Sequence, residues 1–102
     1  MLFTDNYGNN ATEEWTIVAP SGQVVSLVFD TFSIESGYDY VRVFDGCTMN
    51  DTLIGNYSGD YIPDPILSTG NVLHITFTSD SSVTKEGFTA TASGFGLSGK
   101  LI

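Results

Sequence analysis

Leu73-His74-Ile75-Thr76-Phe77-Thr78 is the most regular stretch of this chain. Leu73, Ile75 and Phe77 fall on one face at a period of two, and His74, Thr76 and Thr78 fall on the other. That alternation is the pattern of a β-strand with one face turned to a core. It recurs on both sides of this stretch. Trp15 and Ile17 alternate with Thr16 and Val18, and Val25, Leu27 and Phe29 with Ser26 and Val28. Val41 and Val43 oppose Tyr40, Arg42 and Phe44, and Phe88, Ala90 and Ala92 alternate with threonines. Between these runs stand turn signals: Pro20-Ser21-Gly22, Glu35-Ser36-Gly37, Asp45-Gly46, Ser58-Gly59-Asp60 and Ser68-Thr69-Gly70. No window carries a helical stripe bounded by caps. Short strands at about ten-residue spacing predict an all-β fold, an antiparallel two-sheet β-sandwich or jelly roll. Pro63 and Pro65 assign their stretch to an edge strand or a loop. After Ser93 the text becomes Gly94-Phe95-Gly96-Leu97-Ser98-Gly99. This divides the chain into a β-sandwich domain over 1–93 and a small-residue linker or docking segment over 94–102.

With 102 residues the chain is one domain, and its 41% hydrophobic and 13% aromatic content supports a real core. Twelve acidic side chains against three basic ones leave a net charge of −9. Arg42, Lys85 and Lys100 are too few to neutralise a phosphate backbone, so a nucleic-acid surface is excluded, and an anionic membrane is disfavoured. No run of apolar residues is long enough for a transmembrane helix. One cysteine excludes an internal disulfide, and one histidine excludes a multi-histidine metal site. The acidity instead suits cationic partners, metal ions or Lys/Arg-rich protein surfaces. Met1-Leu2-Phe3-Thr4-Asp5 lacks the features of a signal peptide, as expected of a domain cut from a longer secreted protein.

The acids cluster at two turns. Glu35 and Asp39 flank one, and Asp80 sits in Thr78-Ser79-Asp80-Ser81-Ser82 at the other. Loops at one end of a sandwich bring such turns together, and three converging carboxylates repel unless a cation lies between them. Ca²⁺, which takes 6–8 oxygen ligands, is the natural cation. On spacing alone the signal is weak, and the same acids read first as solvated turn formers.

Several blocks in order make the chain resemble a known family. Tyr7-Gly8-Asn9-Asn10 precedes Trp15-Thr16-Ile17, and Phe32-Ser33-Ile34-Glu35 precedes Tyr38-Asp39-Tyr40-Val41-Arg42-Val43-Phe44-Asp45-Gly46. Leu53-Ile54-Gly55-Asn56-Tyr57-Ser58-Gly59, Ser68-Thr69-Gly70-Asn71-Val72-Leu73, Phe77-Thr78-Ser79-Asp80-Ser81-Ser82-Val83 and Gly87-Phe88-Thr89-Ala90 follow. From about Tyr7 to Ser93 the chain resembles a CUB domain, an extracellular β-sandwich module. The resemblance implies a Ca²⁺ site formed by Glu35, Asp39 and Asp80, completed by the backbone carbonyls of Ser82 and Val83. Tyr7 would support it by hydrogen bonding to a carboxylate. As in many members, the calcium-held carboxylates would accept a Lys or Arg side chain of a partner, with Tyr7 or Tyr38 packing along its aliphatic stem; the alternative is a purely structural ion. In one respect the chain departs from animal members, which carry two disulfides. The positions that match three of those cysteines hold Glu13, Ser36 and Ser58, and Cys47 matches none. In this it resembles the cysteine-poor type in bacterial and some protist surface proteins. The chain also begins close to the first block, so the N-terminal strand is expected to be shortened or supplied otherwise.

Other residues carry less. Cys47 reads as a free, partly buried thiol, with no His or basic residue adjacent to activate it. His74 reads as a surface or packing residue and Trp15 as core. Asn10, Asn50 and Asn56 begin glycosylation patterns that matter only in a eukaryotic secretory pathway. The expected function is an extracellular or cell-surface, calcium-binding, non-enzymatic recognition or adhesion module of a larger protein. Its expected partner is a protein with exposed Lys or Arg. Two alternatives remain. One is a carbohydrate-binding module stacking sugars on exposed Tyr7, Tyr38, Tyr57 and Tyr61. The other is a structural assembly domain of an adhesin or fibre.

Overall fold

A computed structural model describes residues 2–5, 9–80 and 85–96, by backbone alone at 2–5 and 95–96. The alternating runs become β-strands: β1 (Leu2–Asp5), β2 (Thr12–Val18), β3 (Gln23–Ser33), β4 (Tyr40–Asp45), β5 (Thr52–Tyr57), β6 (Ile66–Leu67), β7 (Val72–Thr78) and β8 (Gly87–Gly96). They form two four-stranded sheets, ordered β1-β8-β3-β6 and β2-β7-β4-β5. Every pairing is antiparallel. The architecture is the expected β-sandwich.

The core lies between the sheets. Leu73, Ile75 and Phe77 of β7 meet Val41 and Val43 of β4 on one side, and Val25, Leu27, Phe29 and Phe88 enter from the other. Each such side chain stabilises the fold by about 1.5–3 kcal/mol through its removal from water. Phe29, Phe32, Phe77 and Phe88 form an aromatic cluster with ring centroids 5.5–6.1 Å apart. Trp15, half-buried, meets the edge of Phe88 at 5.7 Å. Phe29 and Phe32 are three apart, so simple alternation cannot send both inward. A bulge does: the register with β8 shifts between Phe29 and Thr31, which restores Phe32 to the core face.

The outer face of the β7 sheet is less polar than its text suggests. His74 is 6% exposed. Its Nε2 lies 2.9 Å from the Glu14 carboxylate and its Nδ1 2.9 Å from the Thr16 hydroxyl. A carboxylate only accepts, so Nε2–H donates to Glu14. His74 is thus a packing residue that ties β7 to β2, with Phe44 across it at 6.2 Å.

The chain ends bear on two expectations. The N-terminal strand is present and short: the four residues of β1 pair with β8 from Leu2↔Ala90 to Asp5↔Gly87. At the other end β8 continues to Gly96, with Gly94 opposite Val25 and Gly96 opposite Gln23. The first three residues read as linker are therefore sheet, and 97–102 lie outside the described residues. The glycine there has a packing cause. A Cβ at Gly94 would stand 2.9 Å from the Ala19 Cβ and 3.0 Å from the Gln23 Oε1.

Candidate metal centre

Glu35 follows the buried Ile34 at the end of β3, and Asp39 immediately precedes β4. The five-residue turn from Glu35 to Asp39 closes on itself. Asp39 N–H donates to the Glu35 carbonyl (3.0 Å), and Glu35 N–H to Asp39 Oδ2 (3.4 Å). Gly37 sits within it at φ +81°, a backbone conformation that side chains with a Cβ rarely adopt. Tyr40 O–H donates to the Gly37 carbonyl at 2.8 Å. Asp80 arrives from the far side, two residues beyond β7. Its N–H donates to Asp39 Oδ1 at 3.0 Å, and its carbonyl accepts from Asn10 N–H at 2.6 Å.

The sandwich thus gathers Glu35, Asp39 and Asp80 although 45 positions separate the first from the last. One carboxylate oxygen from each lies within 4.8 Å of the others. Oxygens on one Ca²⁺ coordination sphere of radius ~2.3–2.6 Å are at most about 5 Å apart, so this spacing fits a single ion. The donors are all hard oxygens, which also suits calcium. Asp39 has no exposed surface at all, while Glu35 and Asp80 are half-buried. The electrostatics show the cost of the cluster without a cation. Burial raises the Glu35 carboxyl above its usual range, aided by the Asp80 charge, a hydrogen bond with Asp80 and the Asp39 charge; Lys85 opposes the rise.

A residue singled out only for its position proves to hold the turn. Ser58 Oγ lies 3.0 Å from the Glu35 carbonyl and 2.7 Å from the Asp39 carbonyl, and it accepts from Gly37 N–H at 2.9 Å. A single hydroxyl therefore spans the turn from a strand end 19–23 residues away. Nothing in the local text around Ser58 signals this. Gly59 brings Ser36 close as well, since a Cβ there would lie 3.7 Å from Ser36 Oγ.

Of the other expected site residues, Tyr38 is 64% exposed beside the carboxylates. Tyr7, Ser82 and Val83 lie outside the described residues. Tyr57 is not an exposed platform: it is half-buried against Phe29 at 6.0 Å, and burial, with the charges of Tyr61 and Asp64, raises its phenol above the usual range. A sugar-stacking surface that counts Tyr57 is thereby reduced. Cys47 is a free thiol, exposed rather than partly buried. Asp51 holds its loop by accepting from Cys47 N–H and Thr48 N–H, both at 3.0 Å. Asn10, Asn50 and Asn56 are all exposed.

Two antiparallel sheets with a cluster of three carboxylates between their loops define an all-β sandwich module. The CUB domain family model matches residues 1–91, and the chain belongs to that family. It is 40% identical to pig (Sus scrofa) cubilin over 92 residues, which cover 83% of this chain and 2% of cubilin. It is 45% identical to a sea urchin (Strongylocentrotus purpuratus) bone morphogenetic protein 1 homolog, covering 86% of this chain and 14% of that protein. The chain therefore spans a small part of these relatives. Among solved structures, the human MASP-1/3 CUB1-EGF-CUB2 region superposes with a TM-score of 0.80 at 30% identity, over 91% of this chain and 38% of that one. The MASP-1 CUB2 domain bound to Ca²⁺ superposes at 0.76 and 27% identity, over 86% of this chain and 81% of that one.

Proposed function

We propose that this domain is a non-enzymatic, extracellular recognition module that binds one Ca²⁺ through Glu35, Asp39 and Asp80. The carbonyls of Ser82 and Val83 would complete the shell, with Tyr7 in support. The observation that carries this reading is the convergence of three carboxylates to within 4.8 Å. The calcium-bound CUB2 domain of MASP-1, matched over most of its length, supports it. Calcium, when bound, supplies the positive charge that offsets the mutual repulsion of the three acids. The protein then holds their remaining lone pairs in fixed directions, on a turn already closed by Ser58 and Tyr40.

Such an arrangement is suited to accept a Lys or Arg side chain from a partner through charge-assisted hydrogen bonds. Ordering the turn in advance lowers the entropic cost of binding. The short share of its relatives that the chain covers supports its place as one module of a larger secreted or cell-surface protein. Calorimetric titration with CaCl₂ tests the site: one saturating event is expected in the wild type and none in Asp39→Asn. Titration of the calcium-loaded domain with Nα-acetyl-lysine amide and its norleucine counterpart tests the partner chemistry. Binding of both alike would overturn it.

A further inference from the structure

The loop after β5 carries two large apolar side chains in succession that the fold does not cover. Tyr61 and Ile62 are each 56% exposed. This loop is joined to the carboxylate turn. Ser58 Oγ accepts from Gly37 N–H, Ile34 N–H donates to the Gly59 carbonyl at 3.1 Å, and Ser36 lies against Gly59. Tyr61 is also anchored, with its ring 6.3 Å from that of the buried Phe32. The acid between these features is already engaged. Asp60 accepts from Ser33 O–H at 2.7 Å and pairs with Lys85 at 3.7 Å. The loop that abuts the carboxylate turn thus offers apolar side chains rather than a second anionic place, and Lys85 repels any further cation from Asp60.

We infer that Tyr61 and Ile62 form a shelf that receives a large apolar side chain of the partner next to its basic residue. This rests on the carboxylate reading above and sharpens it: the partner is an extended segment that pairs one Lys or Arg with an aromatic or aliphatic neighbour, not a dibasic segment. Charge complementarity places the basic residue at the half-buried Glu35 and Asp80, and desolvation of the exposed Tyr61 and Ile62 favours the apolar one.

The test is an NMR titration of the calcium-loaded chain with capped glycine-rich peptides. One peptide contains a single Lys. A second set adds Phe, walked along either side of that Lys. A third set replaces the Phe with a second Lys. At least one Phe register is expected to bind about tenfold tighter than the single-Lys peptide, the effect of partly burying one large side chain. The second Lys should give no such gain. Tyr61→Ser and Ile62→Ser should each remove most of the gain while leaving the single-Lys affinity and the calcium affinity unchanged. Should Tyr61→Ser lower the melting temperature through loss of Phe32, Ile62→Ser decides. A Phe gain absent in every register, or intact in Ile62→Ser, overturns the shelf and leaves the calcium site standing. Equal gains from Phe and Lys also overturn it. If calcium gives no shifts and no peptide binds, the underlying site is wrong and the shelf falls with it.

Discussion

Ser58 shows how much one hydroxyl does at the candidate metal centre. It meets two carbonyls and one N–H of the Glu35–Asp39 turn. Ser58→Ala leaves these groups without that partner, at a cost of about 1–3 kcal/mol. We expect a lower melting temperature and a calcium affinity reduced about tenfold, as when an outer-shell partner of a metal ligand is removed. Calorimetry on Ser58→Ala and on Ser58→Thr, which keeps a hydroxyl, checks this. Glu35 sets the pH response. Its carboxyl is raised in the fold, so the folded metal-free domain holds a proton more tightly there than the unfolded chain, whose reference value is 4.5. Its contribution to metal-free stability is therefore fully present below 4.5 and is lost as pH rises through the raised folded value. Calcium binding runs the other way, because proton and metal compete for the same oxygens. Chelated protein should gain stability from Glu35 on acidification within that window, while calcium affinity falls. Urea titrations and calcium titrations across mildly acid pH, with Glu35→Gln as control, read the two trends.

At the scale of the element, strand text and strand behaviour part company in two places. The alternation in β7 placed Leu73, Ile75 and Phe77 inward, and they are fully buried. It could not show that His74 and Thr76 on the other face would also be buried. Their burial comes from neighbours on adjacent strands: Thr16 and Phe44 stand opposite His74 in the ladder, and Glu14 and Arg42 opposite Thr76. The other place is β8. Gly94-Phe95-Gly96 looks like a linker because small residues usually mark flexible chain. Here Gly94 is small because Ala19 and Gln23 approach it. Gly94→Val should cost about 1–3 kcal/mol through overcrowding, measured as a lower urea midpoint at unchanged m-value. A freely flexible segment would tolerate the same substitution without loss.

For the molecule as a whole, a small sandwich with no disulfide leans on its core and on whatever binds the native state. The single cysteine, Cys47, is exposed and free, so no cross-link constrains the unfolded chain. Calcium at a hundredfold excess over its Kd would add ~2.7 kcal/mol of stability. For a domain of this size that corresponds to a melting-temperature rise of roughly 10–20 °C. Differential scanning calorimetry with calcium and with chelator measures it, and equal melting temperatures would sink the calcium proposal. The net charge of −9 acts over longer range, favouring approach of basic partners and weakening as salt screens it.

The sequence by itself determined the strands that alternate, the apolar faces they bury and the acidic composition of two turns. These are local properties: side-chain period, turn chemistry and charge are written in consecutive residues. The order of its blocks also carried the family resemblance. Only the tertiary structure brings the carboxylates of Glu35 and Asp39 within 4.8 Å of that of Asp80, closes their turn with Ser58, and packs Tyr57 inward while Tyr61 stays out. Those facts depend on which strands become neighbours across the two sheets, and on a bulge that resets the register of β3. Neighbourhood between residues tens of positions apart is settled by the packing of the whole sandwich, so no window of the chain contains it.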